Sequence, residues 1–172
     1  MKFKYLGKEY NRPDAINKVT GQAVYLDDVR LPDMLHAAIL RPEFAHAKIK
    51  KIDTGEAEKM PGVVAVVTGK GCNFRYGDNI KDQQPMATDK VRHIGEPLAA
   101  VVADTLAHAN DALAKIKVTY EPLPVLTDAR DAIKPGAVLV HEDNGEYWHL
   151  PTLKPKKKTN IAHEYHLIKG KG

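Results

Sequence analysis

Two strand–helix–strand passages, at residues 47–67 and 97–120, constrain the fold of this chain more than any other feature. In the first, AKIKKID (47–53) alternates as a half-buried strand does, and a short helix is expected over about residues 55–60. Thr54 stands where a helix cap would, and Pro61-Gly62 ends the helix. Val63–Val67, β-branched and uniformly apolar, reads as a strand covered on both faces. The second passage has the same plan with longer elements. PLAAVVA (97–103) reads as a buried strand, and Asp104 as the cap of a helix over about 105–115. That helix would place Leu106, Ala109, Leu113 and Ile116 on one face and pair Asp111 with Lys115 on the other. Ile116–Tyr120 is then a strand, stopped by Pro122 and Pro124.

Around these passages the chain is less regular. Residues 1–30 read as an extended lead-in with turns at Arg12-Pro13-Asp14 and Thr20-Gly21. A short helix near Thr127–Ile133 and a brief strand at Ala137–Val140 are expected to close the unit. Residues 69–88 read as a long loop, and loops of that length tend to be functional or mobile. Residues 141–160 read as an irregular, Lys-rich linker, after which NIAHEYHLIKG (160–170) resumes strand character.

The composition suits a soluble globular protein: 43% hydrophobic and 28% charged residues exclude a disordered chain. No apolar run approaches the roughly 20 residues of a membrane helix, and the amino terminus has no apolar signal core, so a cytoplasmic location is expected. The single Cys72 can form no internal disulfide and cannot hold an iron–sulfur cluster, which needs several thiolates. The net charge of +4 equals the contribution of Lys154, Lys156, Lys157 and Lys158, leaving the rest of the chain neutral. A neutral surface is a poor electrostatic trap for nucleic acid.

Few residues suggest chemistry. Gly69-Lys70-Gly71 lacks the third glycine of a dinucleotide fingerprint and the Ser or Thr of a phosphate-binding loop, so it reads as a strand-end turn. His163-Glu164-Tyr165-His166 is one residue short of the zinc-protease spacing, and on a strand its two histidines would face opposite sides. His141-Glu142-Asp143 with His149 is a looser group that nothing fixes as tetrahedral. Asp27 and Asp28, being adjacent, suit a turn better than an acid–base pair. The Lys154–Lys158 run lacks interleaved aromatics and reads as a solvated linker. One segment keeps functional weight, because Val91–Pro97 gathers Arg92, His93, Gly95 and Glu96 directly before a buried strand. These four are the interface candidates.

Several signatures recur in a fixed order: RPDAINKVTGQAVYLDD (12–28), MLHAAILRPEFAHAKI (34–49), MPGVVAVVTGK (60–70), VRHIGEPLAAVVAD (91–104), VTYEPLPVLTDARDAI (118–133) and PGAVLVHED (135–143). Together they resemble the start of the molybdenum-binding large subunit of the xanthine dehydrogenase and aldehyde oxidase family, over about Arg12 to Gly170. Departures are Pro42-Glu43 where Ser-Pro is usual, Asp33 where Gly is usual, and the Lys-rich insert. These are surface-loop changes.

The resemblance implies an α+β fold of the α/β-hammerhead type, with mixed β-sheets and a few short helices. It implies a hammerhead domain over 1–140, a linker over 141–160, and at 161–172 the first strand of a next domain, cut short or separately encoded. The complete enzymes of that family hydroxylate heterocycles or aldehydes with oxygen from water. They use molybdenum-molybdopterin, 2Fe-2S clusters and a flavin (FAD) or another acceptor. The pterin-binding loops and the carboxylate base lie downstream of Gly172 in that family. No catalytic, cofactor-binding or metal-binding residue is therefore carried over, and this chain alone is expected to be inactive. Its implied partners are the remaining molybdenum-binding domains or subunit, an iron–sulfur subunit and a flavin subunit, in a homo- or hetero-oligomer without nucleic acid or membrane. The alternatives are a small subunit bound to a separate catalytic chain, and a stand-alone protein-binding module with no redox role.

Overall fold

A computed structural model describes residues 3–72 and 74–170. In chain order the described residues form α1 (Ala15–Val19), β1 (His36–Leu40), β2 (Ala47–Asp53), β3 (Val63–Thr68), β4 (Lys90–Val91), β5 (Ala99–Ala103), α2 (Leu106–Leu113), β6 (Lys117–Pro122) and α3 (Ala129–Ala132). Contacts divide the chain between Met34 and Leu35.

The first unit is the lead-in, and it contains a helix where an extended segment is expected. Asp14 takes 3.0 and 2.7 Å ion pairs from Arg12 and Lys18, which brackets α1 across one turn. The Thr20 hydroxyl closes α1 by donating to the Ile16 carbonyl at 2.7 Å, and Gly21 follows at φ +71°. Asp28 does act as a turn residue, its carboxylate accepting from the Tyr25 amide at 2.9 Å.

The second unit holds two three-stranded sheets, ordered β1-β5-β3 and β4-β2-β6. Every pairing is antiparallel, where the resemblance implied mixed sheets. The α+β hammerhead class stands. β5 is the central strand of the first sheet, which is why PLAAVVA is buried: His36–Leu40 pairs along one edge and Val63–Thr68 along the other. Its alanines leave room for α2 to lie close, so Ala109 and Ala112 pack on Ala99, Val101 and Ala103 with full burial. Leu40, Ile52 and Val118 then join this core to a second one built on Ala87, Val91 and Leu98.

Several local expectations are corrected. β3 is an edge strand with a bulge between Val63 and Ala65, and Val64 is 60% exposed, so it is not covered on both faces. A β-branched run satisfies strand propensity whatever its burial. The helix expected at 55–60 is a single 3-10 turn at Ala57–Lys59, because Gly55 and Pro61 leave too few residues for an α-helix. Thr54 does not cap it; its hydroxyl donates to the Glu58 carboxylate at 2.5 Å. Thr105, not Asp104, caps α2 by accepting from the His108 amide at 3.2 Å. Asp104 instead pairs with His108 Nδ1 at 2.6 Å, and this contact holds its carboxyl below the usual range. Leu106 is 52% exposed, and Ala112 takes its place on the buried face. Among the described residues Asp111 and Lys115 form no ion pair.

No strand forms at 137–140. The Asn160 side chain does the pairing instead, accepting from the Val140 amide at 2.9 Å and donating to the Val138 carbonyl at 2.9 Å. Residues 141–160 contain no helix or strand, yet they are not a free linker. Buried Asn144 donates to the carbonyls of Lys156, Thr159 and Ile161 at 2.9–3.2 Å, and Lys156 and Lys157 pair with Glu164 and Glu146. The loop 69–88 is likewise anchored, by bridges Tyr76–Gln83 and Ile80–His149. Residues 161–169 lie in no strand.

Candidate interface cleft around Arg92

β4 delivers the chain into the turn that holds all four interface candidates, and buried Leu98 re-anchors it at the other end. Between them the backbone reverses through Gly95, whose φ of +81° favours glycine. The turn is closed internally. Glu96, itself buried, accepts the Arg92 amide on its carboxylate at 2.6 Å. Arg92 donates to the Lys90 carbonyl at 2.9 Å and reaches the Asp89 carboxylate at 3.4 Å. His93 is exposed, with Nδ1 2.9 Å from the Ile94 carbonyl, and Ile94 projects into solvent beside it.

Arg92, His93, Gly95 and Glu96 line one cleft of about 390 Å³, so the structure brings the four together. The cleft is completed by residues that sequence reasoning did not assign to it: Arg41, Gln84 and His141 among them. Arg41 follows β1 and donates to the Gly95 carbonyl. His141 sits edge-on to Tyr147 and 3.8 Å from the Asp82 carboxylate. Burial and the neighbouring Arg92 charge push its pKa down, against the Asp82 carboxylate, which raises it. The visible signal for His141 was only its place in the His141-Glu142-Asp143 group. That group does not converge: Glu142 turns to Lys90 at 2.6 Å instead.

The remaining motifs stay dispersed among the described residues. Cys72 is a lone half-buried thiol, and among the described residues no three His, Cys, Asp or Glu side chains gather as metal ligands. Gly69 is no phosphate cradle, since a Cβ there would lie 2.7 Å from the Met86 carbonyl oxygen and 2.6 Å from Thr88. The protein has already filled that space. His163 Nδ1 accepts from the Lys154 amide at 3.3 Å, and His166 lies 3.8 Å from Glu164. The described residues therefore do not fit an iron–sulfur cluster or a metal ion.

Comparison with known proteins agrees with this picture of a structural domain. Residues 20–124 match the family model described as aldehyde oxidase and xanthine dehydrogenase, a/b hammerhead domain. The chain belongs to that family. It is 44% identical over 135 residues to a probable xanthine dehydrogenase subunit of Bacillus subtilis, covering 77% of this chain and 18% of the relative. It is 40% identical over 147 residues to the carbon monoxide dehydrogenase large chain of Afipia carboxidovorans, covering 83% and 18%. Among solved structures, a Cu,Mo-CO dehydrogenase superposes with a TM-score of 0.73 at 35% identity, covering 94% of this chain and 20% of that one. The aldehyde oxidoreductase of Desulfovibrio gigas gives 0.70 at 32% identity, covering 86% and 17%. The chain thus spans about a fifth of the length of these relatives. No helix among the described residues is long and apolar enough to cross a membrane.

Proposed function

We propose that this chain serves as a hammerhead domain that packs against the cofactor-binding part of a molybdopterin-dependent hydroxylase. The observation that carries this reading is the family match across 20–124. The complete enzyme would hydroxylate a heterocycle or an aldehyde with oxygen from water. Molybdenum-molybdopterin, 2Fe-2S clusters and a flavin or other acceptor would reside on the remaining domains or subunits, since cofactors carry such chemistry and protein domains bind and orient them. The turn Arg92–Glu96, with Ile94 exposed at its tip, is a surface this domain would offer to those partners. Residues 161–172 would supply the opening strand of a next domain, and a cytoplasmic location fits the chain.

The test is to isolate the native protein containing these residues from its host and measure bound molybdenum, iron and flavin. A stoichiometric molybdenum content in the chain, or in a chain that co-purifies with it, supports the reading. A monodisperse, metal-free monomer overturns it and leaves a stand-alone binding module.

A further inference from the structure

The polar and apolar side chains of the lead-in are matched in opposite ways. On α1, Asp14 and Lys18 pair at 2.7 Å, and Arg12 joins them at 3.0 Å. Ile16 and Val19 fall on the opposite side of the helix from that pair, and they are 71% and 84% exposed. The turn at Leu26–Asp28 repeats the arrangement: Asp28 accepts the Tyr25 amide, while Leu26 is 87% exposed. No residue between 3 and 34 is buried.

Such a segment is not self-sufficient. The five residues of α1 are far below the roughly 12–15 that a helix needs to hold in water without tertiary packing. Ordering the backbone costs conformational entropy, and burial of apolar surface is the main term that offsets it. The polar groups of α1 and of the turn already have partners within the segment, so the missing contact is apolar. A concentration of exposed apolar side chains marks a surface that another protein surface covers.

We propose that the lead-in is a docking strap, whose Ile16, Val19 and Leu26 are covered by apolar surface on the cofactor-bearing part of the hydroxylase. This inference rests on the hydroxylase reading and adds a contact separate from the Arg92–Glu96 turn. Length decides the occupant. The Cu,Mo-CO dehydrogenase superposition takes in 94% of this chain but 20% of that one, and the part left out is shorter than Met1–Met34. At least some of the lead-in therefore has its counterpart in a protein most of whose chain lies outside the shared region.

The experiment is amide hydrogen exchange, read by mass spectrometry, on the native protein containing these residues, with molybdenum measured in the same sample. The 172-residue chain alone is the reference. The Lys18, Thr20, Gln22 and Ala23 amides donate to lead-in carbonyls at 2.8–3.2 Å. They should exchange at least about tenfold slower in the native protein than in the chain alone. Amides of β5, the central strand of its sheet, should be slow in both. Leu26→Asp, introduced in the host, should speed lead-in exchange in the native protein by about tenfold or more. Leu26→Met should keep the protection, and β5 should be unaffected by either change, because Leu26 is exposed. Fast lead-in exchange in a molybdenum-bearing sample overturns this inference and leaves the hydroxylase reading standing. Slow exchange in the 172-residue chain alone also overturns it, and protection lost there on dilution would assign the cover to a second copy. A metal-free monomer overturns both readings.

Discussion

Nζ of Lys90, 3% exposed on β4, lies 2.6 Å from the Glu142 carboxylate and 2.8 Å from the Leu139 carbonyl. A buried ammonium is costly unless it is paired and hydrogen-bonded. Lys90 therefore fixes the segment after α3 to the sheet that leads into the Arg92 turn, and one edge of the cleft is set by a residue some fifty positions away in sequence.

Glu142→Gln should test this tie. Burial is the largest single influence and pushes the Glu142 carboxyl up, but the Lys90 hydrogen bond and charge, a backbone hydrogen bond and the Arg92 charge together outweigh it, and the group sits below the ordinary glutamate range. Its folded-state pKa is depressed, so the stabilisation is present above the unfolded-state pKa and lost as pH falls through the folded value. Glu142 is partly exposed, which limits the effect to about 1–2 kcal/mol at pH 7. Urea denaturation should show that difference at neutral pH and show it fade as pH falls below the ordinary glutamate range.

Asn144→Ala should release the Lys-rich segment before it affects the core. The substitution removes the donors to the Lys156, Thr159 and Ile161 carbonyls, at a cost of about 1–3 kcal/mol. Limited trypsinolysis should then cut at Lys154–Lys158 faster than the parent by more than its global stability loss accounts for. Equal cleavage of the two proteins would mean that Asn144 does not hold this segment.

The cap of α2 can be assigned by a pair of substitutions. Thr105→Ala should lower stability by about 1 kcal/mol, the usual value of an N-cap hydroxyl. Asp104→Ala removes only the exposed pair with His108 and should cost less than Thr105→Ala. The opposite order in thermal denaturation would restore Asp104 as the cap.

Burial along the two sheets predicts unequal responses. Leu98→Ala empties a fully buried site in the second core and should cost about 2–5 kcal/mol. Val64→Thr, at the exposed bulge of β3, should fall within about 0.5 kcal/mol of the parent. A large loss at Val64 would show that this edge is covered.

The sequence by itself determined the elements whose period and punctuation agree. Alternation in AKIKKID, the apolar run LAAVVA between Pro97 and Asp104, and the prolines after Tyr120 were enough to place β2, β5 and β6. The ordered signatures were enough for the hammerhead family, and the Arg92–Glu96 group was visible as four residues around one glycine. Local sequence does not encode what lies across a strand. Val63–Val67 and Leu98–Val102 are both apolar, yet only the pairing order β1-β5-β3 makes one an edge and the other a centre. The same limit hid Asn160, which replaces a strand at Val138–Val140 through side-chain hydrogen bonds. It also hid the meeting of Arg41, Arg92 and His141, which come from three separated segments. Propensity acts over a few residues, whereas burial and polar pairing depend on what the folded chain brings alongside, and tertiary packing alone decided those.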